Sequence, residues 1–223
     1  MKFSKNTLDI IKNCSQINPG IFFEKGKTIK TISSQKVVLM SVDIEDEITE
    51  EFGIYDLNTF LSAISMCQDP TLKLEGNNLK ISGSAGDTEI NYRVTDKSML
   101  VVPPEKGIVI NDPEVSIDLT KEQLNWILSS ASAITAPNIA IASDGTEVYL
   151  YATDVANSSA SIAKLNIGKG DGTVYDIIFK TENLRIFSGN YSLKISTKGV
   201  SHWKNNDVSL EYWIATEAST YSK

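Results

Sequence analysis

The sequence predicts an α+β protein in two similar halves, each running helix, strands, helix, strands. Three observations carry this prediction. Stretches of helical apolar period stand among segments that alternate like strands. The run Pro103-Pro104-Glu105-Lys106-Gly107 breaks the chain near its middle, and an extended connector follows. The halves also echo one another. Ser4-Lys5-x-x-Leu8-x-x-Ile11 recurs as Thr120-Lys121-x-x-Leu124-x-x-Ile127, and Leu57-x-x-Phe60 as Leu184-x-x-Phe187. Amphipathic helices resemble each other by default, so no single match decides this. The shared order of elements points to a duplicated unit.

In the first half, Ser4 to Ile17 has an apolar face of Leu8, Ile11 and Cys14 opposite Lys5, Asp9, Lys12 and Gln16, and Pro19-Gly20 ends the helix. Ile21–Phe23, Thr28–Ser33 and Lys36–Ile44 read as strands, with the acidic run Asp43–Glu51 as an outer loop. Phe52 to Met66 organises this half. It opens as a short strand, Asp56 is placed to cap a helix, and Leu57, Phe60, Leu61 and Ile64 form its stripe. The opposite face, Asn58, Thr59, Ser62 and Ser65, is small, polar and uncharged, which leaves it free to meet something outside the core. Strands Leu72–Glu75 and Leu79–Ser82 flank Gly76-Asn77-Asn78. Thr88 to Val94 alternates as a half-buried strand, and Met99–Val102 is predicted as the last strand of this half.

The second half starts with strand Val115–Leu119 and a capping box at Thr120 and Gln123, leading into a helix with the stripe Leu124, Ile127, Leu128 and Ala131. Ile139–Ala142 and Val148–Tyr151 flank the hairpin signal Asp144-Gly145. Ser161–Ile167 and Thr173–Lys180 are predicted to pair across a glycine-rich turn. A short helix over Glu182–Phe187, strands Tyr191–Thr197 and Ser209–Ala215, and a loose tail at Ser219–Lys223 complete the prediction. The domains are placed at 1–106 and 114–223, with 107–113 as connector.

A chain of 223 residues with net charge −7 is not a general nucleic-acid binder by composition. Screening to about 8 Å at physiological salt still allows a local basic lining to act independently of an acidic exterior. The only cysteines, Cys14 and Cys67, give no disulfide framework and point to a reducing compartment. Neither a signal-peptide core nor a membrane-spanning run is present, so a soluble intracellular protein is expected.

The search for chemistry comes back empty. His202 is the only histidine and follows Ser201 directly, so on a strand the two side chains diverge. No Cys/His set has zinc spacing, and the acidic run lacks the ligand spacing of a calcium loop. Gly168-Lys169-Gly170-Asp171-Gly172-Thr173 leads into a strand, which excludes a phosphate loop. No catalytic residue, metal or cofactor is expected. What remains is basic residues on or beside helices: Lys5, Lys12, Lys121, Lys180 and Arg185. These are either ordinary solvated side chains or one weakly positive helical surface that meets phosphates without reading bases.

Met1-Lys2-x-Ser4-Lys5 opening a helix, Ile17-Asn18-x-Gly20-Ile21 and, more specifically, Ile54-Tyr55-Asp56-Leu57-Asn58-x-Phe60-Leu61 resemble the T-even-type bacteriophage DNA polymerase sliding clamps. Leu124-x-x-x-Leu128, Ile139-Ala140-Ile141, Gly189-Asn190-Tyr191 and Ala215-x-Glu217-Ala218 extend the resemblance along nearly the whole chain. It implies the DNA-clamp fold, with two similar domains of two helices each packed on antiparallel sheets, and a homotrimeric ring around duplex DNA without sequence preference. It also implies a processivity factor that tethers the replicative polymerase, an ATP-dependent clamp loader, a part with late transcription factors, and a place in the cytoplasm of an infected bacterial host. Lys5 and Lys12 match the family's DNA-facing pattern. Ser129 and Ser132 stand where the family's third helix can carry arginine. Family partner peptides dock near the connector and last strand, where Val109, Ile110, Tyr212 and Ile214 are the candidates. The competing expectation is a duplicated scaffold protein with no DNA role. A hydrolase using His202 or the acidic run lacks the third partner such a site needs.

Overall fold

The computed structural model describes residues 1–105 and 107–222, and its first helix, α1 (Lys5–Ile17), begins where the Ser4 hydroxyl accepts the Thr7 N–H. The chain divides into two units, Met1–Gly107 and Ile108–Lys223. The predicted end of the first domain, Lys106, and the last residue of the predicted tail, Lys223, lie outside the described residues.

In the first unit α1 is followed by β1 (Ile21–Phe23), β2 (Gly26–Ile32), β3 (Val38–Ile48), β4 (Phe52–Ile54), α2 (Leu57–Ser65), β5 (Thr71–Glu75), β6 (Asn78–Ser82) and β7 (Glu89–Arg93). All pairings within it are antiparallel: β1 with β4, β2 with β3, and the three-stranded β5-β6-β7 sheet. α1 buries Ile10, Ile11 and Cys14, and α2 buries Leu57, Phe60 and Ile64. Removing a side chain of this size from water contributes about 1.5–3 kcal/mol. Phe60 meets the edge of the Tyr92 ring at 5.4 Å, and the Tyr92 hydroxyl donates to Asp56 O at 3.1 Å, which fixes α2 on β7.

Two expectations for this unit are corrected. The acidic run is no outer loop. Residues 43–48 continue β3, with Ile44 and Ile48 buried and Asp43, Glu45 and Glu47 exposed on the alternate positions. Asp46 takes the inward parity because it has a partner there: its Oδ2 accepts the Ser4 N–H at 2.6 Å. Met99–Val102 is no strand either. A 3₁₀ turn, Lys97–Met99, leads into extended chain, and Leu100 packs where Gly20 and Gly53 have no side chains. A Cβ at Gly53 would stand 2.9 Å from Leu100 Cδ1 and 2.4 Å from Thr95 O.

The second unit contains β8 (Val115–Leu119), α3 (Lys121–Ala133), β9 (Asn138–Asp144), β10 (Glu147–Thr153), β11 (Ala163–Lys169), β12 (Val174–Lys180), β13 (Tyr191–Ser196), β14 (Val200–Asn205), β15 (Leu210–Ala215) and β16 (Thr220–Ser222). One antiparallel sheet runs β11-β10-β9-β12-β16. The strands β15-β14-β13-β8 lie in a second. Their inner faces meet at the buried Trp203, which takes Phe179 and Tyr191 edge-on at 5.6 and 6.2 Å. The indole Nε1–H donates to Ser201 Oγ, and that hydroxyl donates to Ile214 O, each at 2.8 Å.

Three more expectations are corrected here. β11 and β12 do not pair, because β10 and β9 stand between them. The glycine-rich turn is therefore a crossover that rides over the β9–β10 hairpin tip: Gly170 N–H donates to Thr146 O at 2.7 Å and Gly172 N–H to Gly145 O at 2.9 Å. A Cβ at Gly170 would stand 2.5 Å from Gly145 O, so glycine is required by contact. The helix expected over Glu182–Phe187 is a single 3₁₀ turn, Thr181–Asn183. Phe187 N–H donates to Tyr212 Oη instead, and Phe187 O accepts the Tyr191 hydroxyl, so tertiary bonds replace the helical ladder. The described residues thus hold three α-helices rather than two in each half. The tail is no loose end: Thr220–Ser222 pairs with Val174–Asp176 as β16 and covers the outer edge of β12. The class itself stands as α+β with antiparallel sheets.

Candidate nucleic-acid interface

Each helix starts at a built cap, which fixes the face it presents outward. Asp56 Oδ1 accepts the Asn58 and Thr59 N–H groups at 2.9 and 3.1 Å and opens α2. These bonds hold the Asp56 carboxyl below its ordinary value, the Thr59 N–H contributing most. At α3 the box is reciprocal: Gln123 N–H donates to Thr120 Oγ1 and Thr120 N–H to Gln123 Oε1. At α1, burial pushes the Asp46 carboxyl up, but hydrogen bonds from the Thr7 hydroxyl and from Ser4 outweigh it, so its pKa falls.

α1 and α2 pack side by side. Lys5, Asn6, Asp9, Lys12 and Gln16 are exposed on α1, and Asn58, Thr59, Ser62 and Ser65 on α2. Lys5 and Lys12 lie two turns apart, about 10 Å along the axis. Neither ammonium has a carboxylate partner among the described residues. A shallow groove between the helices is lined by Asp9 and Lys12 on one side and Asn58, Ser62 and Ser65 on the other. On α3, Lys121, Asn125, Trp126, Ser129 and Ser132 are exposed.

The charge distribution separates these faces from the rest of the molecule. The helices carry Lys5, Lys12 and Lys121 against the carboxylates of Asp9 and Glu122 only, a surplus of one positive charge. The whole chain stands at −7. Most acidic side chains stand on strands and loops, and the helical faces display ammonium, amide and hydroxyl groups with the two carboxylates Asp9 and Glu122.

The later basic candidates are placed differently. Lys180 ends β12 with its Nζ 3.9 Å from Glu217, and Arg185 is exposed in the irregular segment past the 3₁₀ turn, so neither sits on a helix. That segment is bound at both ends to the α3 region: Thr181 Oγ1 donates to Ala136 O, and Asn190 Oδ1 accepts the Lys121 N–H. The groove candidates divide. Val109 is 75 % exposed and Ile110 half-buried. Tyr212 and Ile214 are at 0 %, inside the core on the inward parity of β15, so they are removed as surface contacts. Sequence reasoning missed Asp46, hidden in its acidic run, and Trp126, which lies off the apolar stripe yet is large.

No geometry for catalysis emerges. Ser201 faces the core while His202 lies on the opposite face, its ring stacked on Trp213 at 4.9 Å and its Nε2 3.2 Å from Glu211. Among the described residues no group of His, Cys, Asp or Glu is arranged to hold a metal ion, and no helix is long and apolar enough to cross a membrane. Both cysteines are free and buried, and burial pushes the Cys14 thiol up to about 12.

Comparison with known proteins agrees with this arrangement. In fold the chain is similar to PCNA from Thermococcus kodakaraensis, with a TM-score of 0.67 over 96% of each chain at 14% identity. It is similar also to A. fulgidus PCNA with the C-terminal region of FEN-1 bound, with a TM-score of 0.66 over 94% of each chain at 15% identity. The architecture is thus the DNA-clamp fold. Residues 3–102 match the DNA polymerase processivity factors, and residues 116–218 match the C-terminal part of the gp45 sliding clamps. The sliding clamp of Vibrio phage KVP40 is 30% identical, covering 98% of this chain and 100% of that protein. The sliding clamp of Escherichia phage RB69 is 30% identical with 99% and 98% covered, and that of Enterobacteria phage T4 is 30% identical with 89% of each covered. The chain belongs to the sliding-clamp family of phage DNA polymerase processivity factors, which are not enzymes.

Proposed function

We propose that three copies of this chain close into a ring around duplex DNA with the helices on its inner wall, in the cytoplasm of an infected bacterial host. The observation that carries this reading is the charge segregation: a surplus of one positive charge on helical faces in a chain of net charge −7. Lys5, Lys12 and Lys121 face the duplex, and Lys180 and Arg185 flank it. Strong phosphate contacts would release counterions and pin the protein. A polar wall with few lysines holds DNA by enclosure and lets it slide, and the acidic remainder repels DNA from the outside.

The two halves act as domains 1–106 and 114–223 joined by 107–113. Head-to-tail contact between different surfaces closes a ring when the rotation permits. The outer edge of β11, unpaired among the described residues, supports such a contact. An ATP-dependent clamp loader opens the ring, the replicative polymerase is tethered to it, and late transcription factors share it; the family membership supports these partners. Val109 and Ile110 on the connector are the surface offered to partner peptides, Val109 being largely exposed; A. fulgidus PCNA, of the same fold, has the C-terminal region of FEN-1 bound.

Native mass measurement tests the assembly. At micromolar concentration the expected species is three subunits. A monomer as the sole species, in the presence of loader as well as alone, would remove the ring.

A further inference from the structure

We infer that Asp9 sets how loosely the helical wall holds DNA: its carboxylate stands between the two lysines of α1 and repels the phosphates they attract. The inference deepens the proposed DNA-facing role of α1 and rests on it.

Along α1 the charges run Lys5, Asp9, Lys12, and all three side chains are exposed. With a rise of about 1.5 Å per residue, Asp9 lies about 6 Å from Lys5 and about 4.5 Å from Lys12 along the helix axis. It also lines the shallow groove between α1 and α2, with Lys12, Asn58, Ser62 and Ser65. Both spacings fall inside the screening length of about 8 Å at physiological salt. A phosphate drawn to either ammonium therefore feels this carboxylate as well.

The fold does not account for Asp9. Its side chain has no hydrogen bond or ion pair among the described residues. Ser4 caps α1, and the first turn of that helix holds no acidic residue. Asp9 comes after that turn, beyond the reach of the stabilising field at a helix start. The other carboxylates beside the helices differ in this respect. Asp46 and Asp56 accept hydrogen bonds at the starts of α1 and α2, and Glu122 stands in the first turn of α3. A negative charge is favoured at each of those places.

The carboxylate has a use in a sliding protein. Each lysine that neutralises a phosphate releases counterions and strengthens the hold. Retention by enclosure gains nothing from a stronger hold and loses mobility. One carboxylate between two lysines leaves α1 a surplus of one positive charge. The attraction keeps its sign while the grip is weakened.

The test compares wild type with Asp9→Asn, which removes the charge at nearly constant size, and with Asp9→Glu, which keeps it. Association with linear duplex is measured between about 50 and 200 mM salt. One-dimensional diffusion is followed on duplex tethered at both ends, after loading with loader and ATP. Asp9→Asn is expected to bind linear duplex about two- to fivefold more tightly at the low-salt end, with a slope of log K against log salt steeper by up to about 1, and to diffuse more slowly. Asp9→Glu is expected to match wild type in all three, and all three proteins to share one Tm. Equal affinity, slope and diffusion for Asp9→Asn and wild type, with both retained on a closed circle, overturns this inference and leaves the ring intact. A fall in Tm for Asp9→Asn without a change in binding assigns Asp9 to helix support and overturns it too. Failure of the wild type to be retained on the circle overturns both the inference and the ring.

Discussion

The backbone N–H of Lys121 donates to Asn190 Oδ1 at 3.0 Å, fastening the start of α3 to the end of the segment that stands where a fourth helix is expected. Asn190 in turn donates from its N–H to Asp207 Oδ2 at 2.9 Å and from Nδ2 to the same carboxylate. The Asn190 bonds, with a smaller contribution from the Lys121 charge, hold the Asp207 carboxyl below its ordinary value. Asn190→Ala frees one helix N–H and removes the Nδ2 bonds to Asp207, while the backbone N–H at 190 still donates to that carboxylate. The expected cost is about 1 kcal/mol, a fall in Tm of about 2–4 °C for a chain of this size. An unchanged Tm in calorimetry would show that the link carries no stability.

Acid sensitivity follows from Asp46 and Asp56. Both carboxyls are held below their ordinary value in the folded chain by hydrogen bonds to the starts of helices. A folded value below the unfolded one, near 3.9, means their contribution is full above that pH and is lost as pH falls through the lowered folded values. Asp56→Asn keeps an acceptor for the α2 cap and removes its share of the titration. Urea midpoints from pH 6 down to pH 3 are expected to fall less steeply for Asp56→Asn than for wild type, and Asp56→Ala is expected to lose about 1 kcal/mol at neutral pH.

The crossover loop gives a paired prediction. Gly170→Ala places a methyl against backbone at Gly145, where nothing flexible can yield, and is expected to cost about 1–3 kcal/mol. Gly168→Ala meets open space and serves as the control. Equal denaturation midpoints for the two variants would contradict the placement of this loop over the hairpin tip.

The lysines on α1 are exposed and have no carboxylate partner among the described residues, so replacing them leaves the fold unchanged. For residual association with linear duplex, each of Lys5→Ala and Lys12→Ala is expected to lower the slope of log K against log salt by about 1. Circular dichroism checks the fold. An unchanged slope in the double variant would place the DNA elsewhere.

The helices α1, α2 and α3 are legible in the sequence because each has an apolar stripe at helical spacing and α2 and α3 have caps at Asp56 and Thr120, although Leu8, Leu61 and Leu128 of those stripes are only half-buried and α1 also buries Thr7, Ile10 and Asn13. The failures occur where long-range partners decide. Leu184 and Phe187 have helical spacing, but the hydroxyls of Tyr191 and Tyr212, distant in sequence, take over the backbone groups of Phe187. The acidic run reads as a solvated loop because its inward Asp46 finds compensation only at Ser4 and Thr7, far earlier in the chain. Tyr212 and Ile214 alternate as any strand would, and only the second sheet layer shows which parity is buried. Lys5 and Lys12 can be picked out locally, whereas the exposure of Trp126 depends on knowing that α3 turns that side outward.

Enclosure is the central claim, and the shape of the DNA tests it most directly. The protein is loaded onto a nicked circular plasmid with loader and ATP, passed through a gel-filtration column, and the plasmid is then cut once by a restriction enzyme. The account predicts that the protein travels with the circle and is released as soon as the circle becomes linear. Equal retention before and after the cut would mean that the DNA is gripped rather than encircled, and would contradict the account.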